Sequence, residues 1–299
     1  MSISLQAETA PVKILVLGAS GMLGHVMFRI LSDQTSAQVY GTLRSDDARR
    51  YFEPSFAAQM VQVDDLENRV NLVRLFESLK PHVVVNCTSL GKSMMTDPMR
   101  TISMFSLLPH RLSHLCRLIG ARLVQIGSDG VFSGAKGRYR EDDLPDATDT
   151  YGIAKYLGEV NQPHAITLRT SIIGPELSGR SALLEWFLSQ EDECCCYTRS
   201  IFSGLPTVEL ARIIRDVVIP RADLHGVYHL ATKSISKFDL LTLIARRYGK
   251  RITLIPDDSV VIDRSLLADK FTCATGYVSP EWPELVDSMY FYQSSLPSS

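Results

Sequence analysis

The chain has 299 residues, 45% of them apolar and 21% charged, with a formal net charge of −2. That length accommodates one large domain or two closely joined ones, and the near-neutral balance lacks the basic footprint of a nucleic-acid binder. No apolar run approaches the ~20 residues a membrane helix needs, and the opening MSISLQAETAPVK lacks the basic start and apolar stretch of a signal peptide. The expectation is a cytoplasmic protein with no membrane partner and a loose tail over residues 1–10.

Strands and helices alternate from there. Val12–Leu17 (VKILVL) is a short apolar run suited to a strand buried on both faces. A glycine-rich turn follows, then a helix from about Met22 to Leu31. Gln38–Leu43 and Met60–Val63 read as strands. Asn68–Leu79 has helical spacing of Val70, Val73, Leu75, Phe76 and Leu79, and Pro81 ends it. His82–Cys87 (HVVVNC) is another buried strand. A long helix fits Pro98–Ile119, with Pro109 as a kink and Gly120 as its cap. Arg122–Ile126 and Ala165–Arg169 complete a βα series. This predicts a Rossmann-like doubly wound parallel sheet over residues 11–170.

After Ser171 the rhythm loosens, and residues 171–299 read mainly as a smaller lobe, with a segment at about 205–231 returning to the sheet. Helices are expected at Ala182–Leu188, Leu210–Val218 and Lys237–Tyr248, and strands at Gly226–Ala231 and Ile252–Ile255. Of six cysteines, Cys87 and Cys116 sit in apolar segments, and Cys194, Cys195 and Cys196 form a run. None has paired C-x-x-C spacing, and no His set has metal spacing, so no metal site is expected.

Two features carry chemistry. The first strand runs into GASGMLG, whose Gly18, Gly21 and Gly24 permit a tight turn, close approach of a pyrophosphate, and helix-on-strand packing. Ser20, Met22 and Leu23 fill out this turn at a helix N-terminus, whose N–H groups and dipole favour phosphate. A dinucleotide is the expected ligand. Arg44, with Arg49 and Arg50 nearby, suits a 2′-phosphate, so NADP(H) is favoured; Asp46 and Asp47 keep NAD(H) open. Asp64, followed by Asp65, is placed to accept from an adenine amino group or to begin a helix. The second feature is TDTYGIAKYLGEV, where Tyr151 and Lys155 stand one helical turn apart. A hydride delivered to a ketone leaves an alkoxide that needs a proton, and a cation beside a tyrosine lowers its pKa toward neutrality.

In chain order, GASGMLGH, VNCTS, IGSDGVFSG, YGIAKYLGE and LRTSIIG resemble the extended short-chain dehydrogenase/reductase superfamily. Within it the chain most resembles the dTDP-4-dehydrorhamnose reductase-like branch, over roughly Val12 to Tyr277. The resemblance implies catalytic roles for Ser128, Tyr151 and Lys155. It places Cys87, Thr88 and Ser89 beside the nicotinamide, and Ser128, Asp129 and Gly130 beside the sugar. Further substrate candidates are Trp186, which either stacks on a base or packs the lobe, Arg199, either a diphosphate contact or a solvent-facing charge, and Arg264, either a phosphate contact or a helix-start salt bridge. The implied activity is an NADP(H)-preferring 4-keto-6-deoxy sugar-nucleotide reductase with a nucleotide-sugar substrate. An NAD-dependent epimerase and a non-catalytic dinucleotide-binding regulatory subunit are the alternatives, and a homodimer is left open. Three departures from the family stand out. Gly130 replaces the acid of dehydratases and the tyrosine of many rhamnose-type reductases. Phe105 stands where an asparagine often supports the lysine. Arg199 stands where a smaller polar residue is expected.

Overall fold

The computed structural model describes residues 11–33, 36–91 and 94–296; the expected tail over residues 1–10 and Lys92, which in sequence reads as either a diphosphate contact or a surface lysine, lie outside them. The chain enters as β1 (Val12–Leu17), α1 (Met22–Ser32) and β2 (Ala37–Leu43). It continues through a one-turn helix α2 (Pro54–Ala57), β3 (Met60–Gln62), α3 (Arg69–Leu79) and β4 (Val83–Asn86). Then come α4 (Pro98–Ile102), α5 (Leu108–Ile119), β5 (Arg122–Ile126), α6 (Thr150–Leu157) and β6 (Ala165–Arg169). These six strands and Gly226–His229 form a seven-stranded sheet, in the order Gly226–His229, β6, β5, β4, β1, β2, β3. Every pairing is parallel, with Val16 opposite Gly41 on one side and Val85 on the other.

The continuous apolar runs follow from burial on both faces. Along β1, Ile14 and Val16 feed one core, while Leu15 and Leu17 feed the core on the opposite face. The first of these cores runs from Val16 and Met27 through Leu210 and Leu240 to Trp282, so the C-terminal elements share it with the sheet.

The long helix expected over Pro98–Ile119 is interrupted. Between α4 and α5, Ser103–Leu107 forms a π turn, with Leu108 N–H donating to the Ser103 carbonyl. Pro109 supplies the physical reason, because it has no N–H to return to the Phe105 carbonyl four residues back. The segment expected as one helix at Leu210–Val218 is likewise a helix, Thr207–Ile213, followed by a π turn, Ile214–Val218.

The cysteine run is a strand, Glu193–Tyr197, paired in parallel with Thr253–Asp257. Cys194 and Cys196 are buried and Cys195 is exposed, as strand alternation requires, and all six cysteines are free thiols. Behind α6, Glu159 grips Arg169 with two hydrogen bonds of 2.6 and 2.9 Å, both side chains being over nine-tenths buried. Arg169 also contacts His229 at 3.2 Å, and burial pushes that histidine down to about 3. His229 is a structural residue.

Candidate active site

The carboxyl ends of β1, β4, β5 and β6 meet at one edge of the sheet, where open α/β sheets bind ligands. β1 runs into Gly18, whose φ of 75° turns the chain sharply into the cradle. A Cβ on Gly24 would run into the Gly18 carbonyl, so Gly24 is what lets α1 pack this close to its strand. No side chain caps α1 at Gly21, which leaves its first-turn N–H groups for a ligand.

Two cavities open here. One, of about 680 Å³, is lined by Gly18, Ser20, Gly21, Arg44, Asp64 and Asp65. The other, of about 500 Å³, is lined by Met22, Leu23, Cys87, Ser128, Asp129, Gly130, Tyr151, Lys155 and Arg264. Both reach Gly21, Thr88 and Ser89, so they form one trough with the phosphate cradle at its middle. An elongated ligand with a central diphosphate fits that plan. Thr88 is fixed there by Asn86, whose side-chain oxygen accepts from the Thr88 N–H and hydroxyl while its amide donates to Gln125.

Ser128, Tyr151 and Lys155 meet at the second cavity. Asp149 caps α6 by accepting from Gly152 N–H. Tyr151 donates its hydroxyl to Ser128 Oγ at 3.3 Å, and that oxygen also accepts the Gly130 N–H at 3.0 Å. Lys155 Nζ donates to the Ile126 carbonyl at 2.8 Å. Phe105 touches both Tyr151 and Lys155, with its ring edge-on to Tyr151 at 5.3 Å and 5.2 Å from Lys155 Nζ. The aromatic face is therefore a cation partner for the lysine where a polar support is the superfamily habit. A Cβ on Gly130 would lie 3.0 Å from the Tyr151 ring and 3.1 Å from Ser128 Oγ, so glycine keeps this spot open.

Burial pushes Lys155 down to about 8, against the pull of Glu159 and the Cys87 thiol in the other direction. Burial pushes Asp129 up to about 6, opposed by Arg264 and by hydrogen bonds from Ser171 and Ser128. The expectation that Lys155 lowers the Tyr151 pKa is corrected here: burial pushes the phenol upward. The influences that pull it down are the Ser128 hydrogen bond and the positive charge of Arg264, while Asp129 and Asp149 push it further up. Lys155 instead spends its hydrogen bond on the Ile126 carbonyl.

Two substrate candidates stand apart from the trough. Trp186 is 37% exposed and lines neither cavity, because the helix Leu183–Ser189 turns Leu184 and Phe187 inward. Arg199 is exposed and lines neither cavity. Arg264 does reach the second cavity, and its buried Nε has no hydrogen-bond partner among the described residues. Sequence reasoning missed Arg100, which lines the cradle cavity along with Arg44, and Glu176, which closes the loop at the second cavity by accepting from Ser181 and Ala182 N–H. Arg100 lies three residues past Asp97, its partner at 3.7 Å, an i,i+3 pair that reads in sequence as an ordinary helix-start ion pair.

A parallel seven-stranded sheet, a glycine cradle at its first turn and a Ser–Tyr–Lys set at its carboxyl edge define an NAD(P)-dependent oxidoreductase of the extended short-chain dehydrogenase/reductase type. The chain belongs to the family described as the RmlD substrate binding domain, whose model matches residues 12–262. A probable low-salt glycan biosynthesis reductase of Haloferax volcanii is 26% identical over 85% of this chain and 84% of its own length. Methionine adenosyltransferase 2 subunit beta of Danio rerio is 26% identical over 79% of this chain and 74% of its own. dTDP-4-dehydrorhamnose reductase of Streptomyces griseus is 31% identical over 48% of this chain and 43% of its own. In fold, the chain matches the structure of dTDP-4-dehydrorhamnose reductase from Bacillus anthracis in complex with NADP, with a TM-score of 0.77 and 18% identity over 94% of this chain and 99% of that one.

Proposed function

We propose that this protein is an NADP(H)-preferring reductase of a 4-keto-6-deoxy sugar nucleotide, with Tyr151 as the proton donor. The observation that carries the reading is the Tyr151–Ser128 hydrogen bond at the inner end of a trough whose middle is a phosphate cradle. Gly18, Gly21 and the first turn of α1 would hold a dinucleotide diphosphate. Arg44 and Arg100 would face a 2′-phosphate, which favours NADP(H) over NAD(H). The bound cofactor would supply the hydride.

The chain's own residues do the rest. The Tyr151 hydroxyl donates to the ketone oxygen as negative charge grows there, and Ser128 holds that hydroxyl in place. Tyr151 then gives up its proton to the alkoxide. Lys155 holds a buried positive charge beneath the site, which favours that charge build-up. The open space at Gly130 admits the sugar next to the Tyr151 ring. No acid stands at position 130, so removal of water from the sugar lacks its usual partner. A panel of 4-keto-6-deoxy nucleotide sugars, mixed with NADPH and followed by absorbance of the reduced cofactor, tests the reading. Turnover of at least one member supports it, and silence across the panel contradicts it.

A second reading has a specific observation behind it. The resemblance to methionine adenosyltransferase 2 subunit beta spans most of both chains, so a subunit that serves another enzyme is the alternative. Cofactor binding without turnover of any sugar, together with a co-purifying enzyme, would favour it.

A further inference from the structure

Tyr151 must be reprotonated once per turnover, and a hydrogen-bonded path leads to it. Tyr151 Oη donates to Ser128 Oγ at 3.3 Å, and Ser128 Oγ donates in turn to Asp129 Oδ1 at 3.5 Å. The Ser128 oxygen also takes the Gly130 N–H, so its single proton and both acceptor positions are in use. The direction of the chain is thereby tied to the state of Asp129. When the carboxylate is ionised, Tyr151 points its proton to Ser128 and Ser128 to Asp129. When the carboxyl is protonated, both bonds can reverse and deliver a proton to a phenolate.

We propose that Asp129 is the proton reservoir of this site, resupplying Tyr151 through the Ser128 hydroxyl after each reduction. The proposal rests on the reductase reading above. The step balances: the Tyr151 proton goes to the substrate alkoxide, the Ser128 proton to the phenolate, and the Asp129 proton to Ser128. The Asp129 carboxylate then takes a proton from water in the cavity that it lines.

The surroundings suit a group that must hold and release a proton near neutrality. Burial raises Asp129 to about 6, while Arg264 keeps it from rising further. Facing it are Ser128 beside it, Ser171 after β6, Tyr151 on α6 and Arg264 from the segment after Ile262–Asp263. Glu176 lines the same cavity, and Asp149 acts on Tyr151 from the start of α6. Gly130 matters to this path as well as to the substrate, since a side chain there would press on both Ser128 Oγ and the Tyr151 ring.

The test is Asp129→Asn in the full chain, with kcat for NADPH-dependent reduction measured across pH 5 to 8. In the wild type, kcat falls as pH rises through about 6. In Asp129→Asn that inflection is gone and kcat is lower by about tenfold or more, with KM little changed. Asp129→Glu restores part of the rate, and formate, a small acid that fits the truncated site, restores part of it to Asp129→Ala. Wild-type kcat and an unchanged pH profile in Asp129→Asn would overturn the proposal while leaving the reductase reading intact. If the wild type reduces no keto sugar, the reductase reading falls on its own. The hydrogen-bonded chain is then judged by the ionisation of Tyr151, followed by NMR of ring-labelled tyrosine. A downward move of the Tyr151 midpoint in Asp129→Asn supports the chain, and an unmoved midpoint overturns it.

Discussion

Lys155 shows how much a single side chain is asked to bear. It is buried, and burial lowers its pKa from the ordinary 10.5 to about 8. Below pH 8 the charge is present in both folded and unfolded states and its desolvation opposes folding in full. Between 8 and 10.5 the unfolded chain holds the extra proton, so this cost declines with rising pH and is gone above 10.5. Lys155→Met should therefore be more stable than wild type by roughly 3 kcal/mol at neutral pH. The gain should shrink between pH 8 and 10.5, as measured by urea unfolding at a series of pH values. The pair Tyr151–Lys155 was plain in the sequence from its four-residue spacing, and so was Ser128 once the motif order was recognised. The rise of the phenol's pKa was not legible, because spacing on a helix does not reveal how far the surrounding fold takes the Tyr151 hydroxyl out of water. Nor could sequence tell that Trp186 faces outward, since an aromatic pair on a short helix gives no sign of which ring is buried.

Elements position these side chains through a few interior contacts. The Glu159–Arg169 pair ties the end of α6 to β6 within the sheet. Breaking a buried pair leaves an uncompensated charge, so Glu159→Gln should cost about 3 kcal/mol or more by denaturant titration, with catalysis lowered as α6 loosens. Removing the Glu159 charge should also lower Lys155 further, since Glu159 pulls it upward. The strand–helix series of the sheet was readable because buried parallel strands are near-continuous apolar runs bounded by turn residues. The π turn at Ser103–Leu107 was not. Pro109 announced a disturbance, but whether a proline kinks a helix or widens one turn depends on the packing of Phe105 against α6, a contact between distant segments. The strand at Glu193–Tyr197 was missed for a related reason. A cysteine run has no strong periodic signal until its partner, Thr253–Asp257, is in place.

Across the whole molecule, the two ends of the trough differ in chemistry. One end carries Arg44 and Arg100 among Asp64, Asp65 and Glu67, and the other carries Ser128, Asp129, Tyr151 and Lys155. Arg44→Ala should weaken NADPH binding by about tenfold while leaving NADH little affected, as read by fluorescence titration, the worth of one charge-assisted pair. The sheet and the cradle were evident from sequence because they are local. The return of a segment at about 205–231 to the sheet was an expectation from sequence; the packing of Trp282 into the same core as Val16 was not, because it joins residues so far apart along the chain. The most direct test of the account is single-turnover oxidation of NADPH by a 4-keto-6-deoxy sugar nucleotide, in wild type and in Tyr151→Phe. The account predicts hydride transfer in the wild type and a loss of about 100-fold or more in the variant, whose phenylalanine keeps the ring but has no proton to give. Equal rates in the two proteins would contradict it.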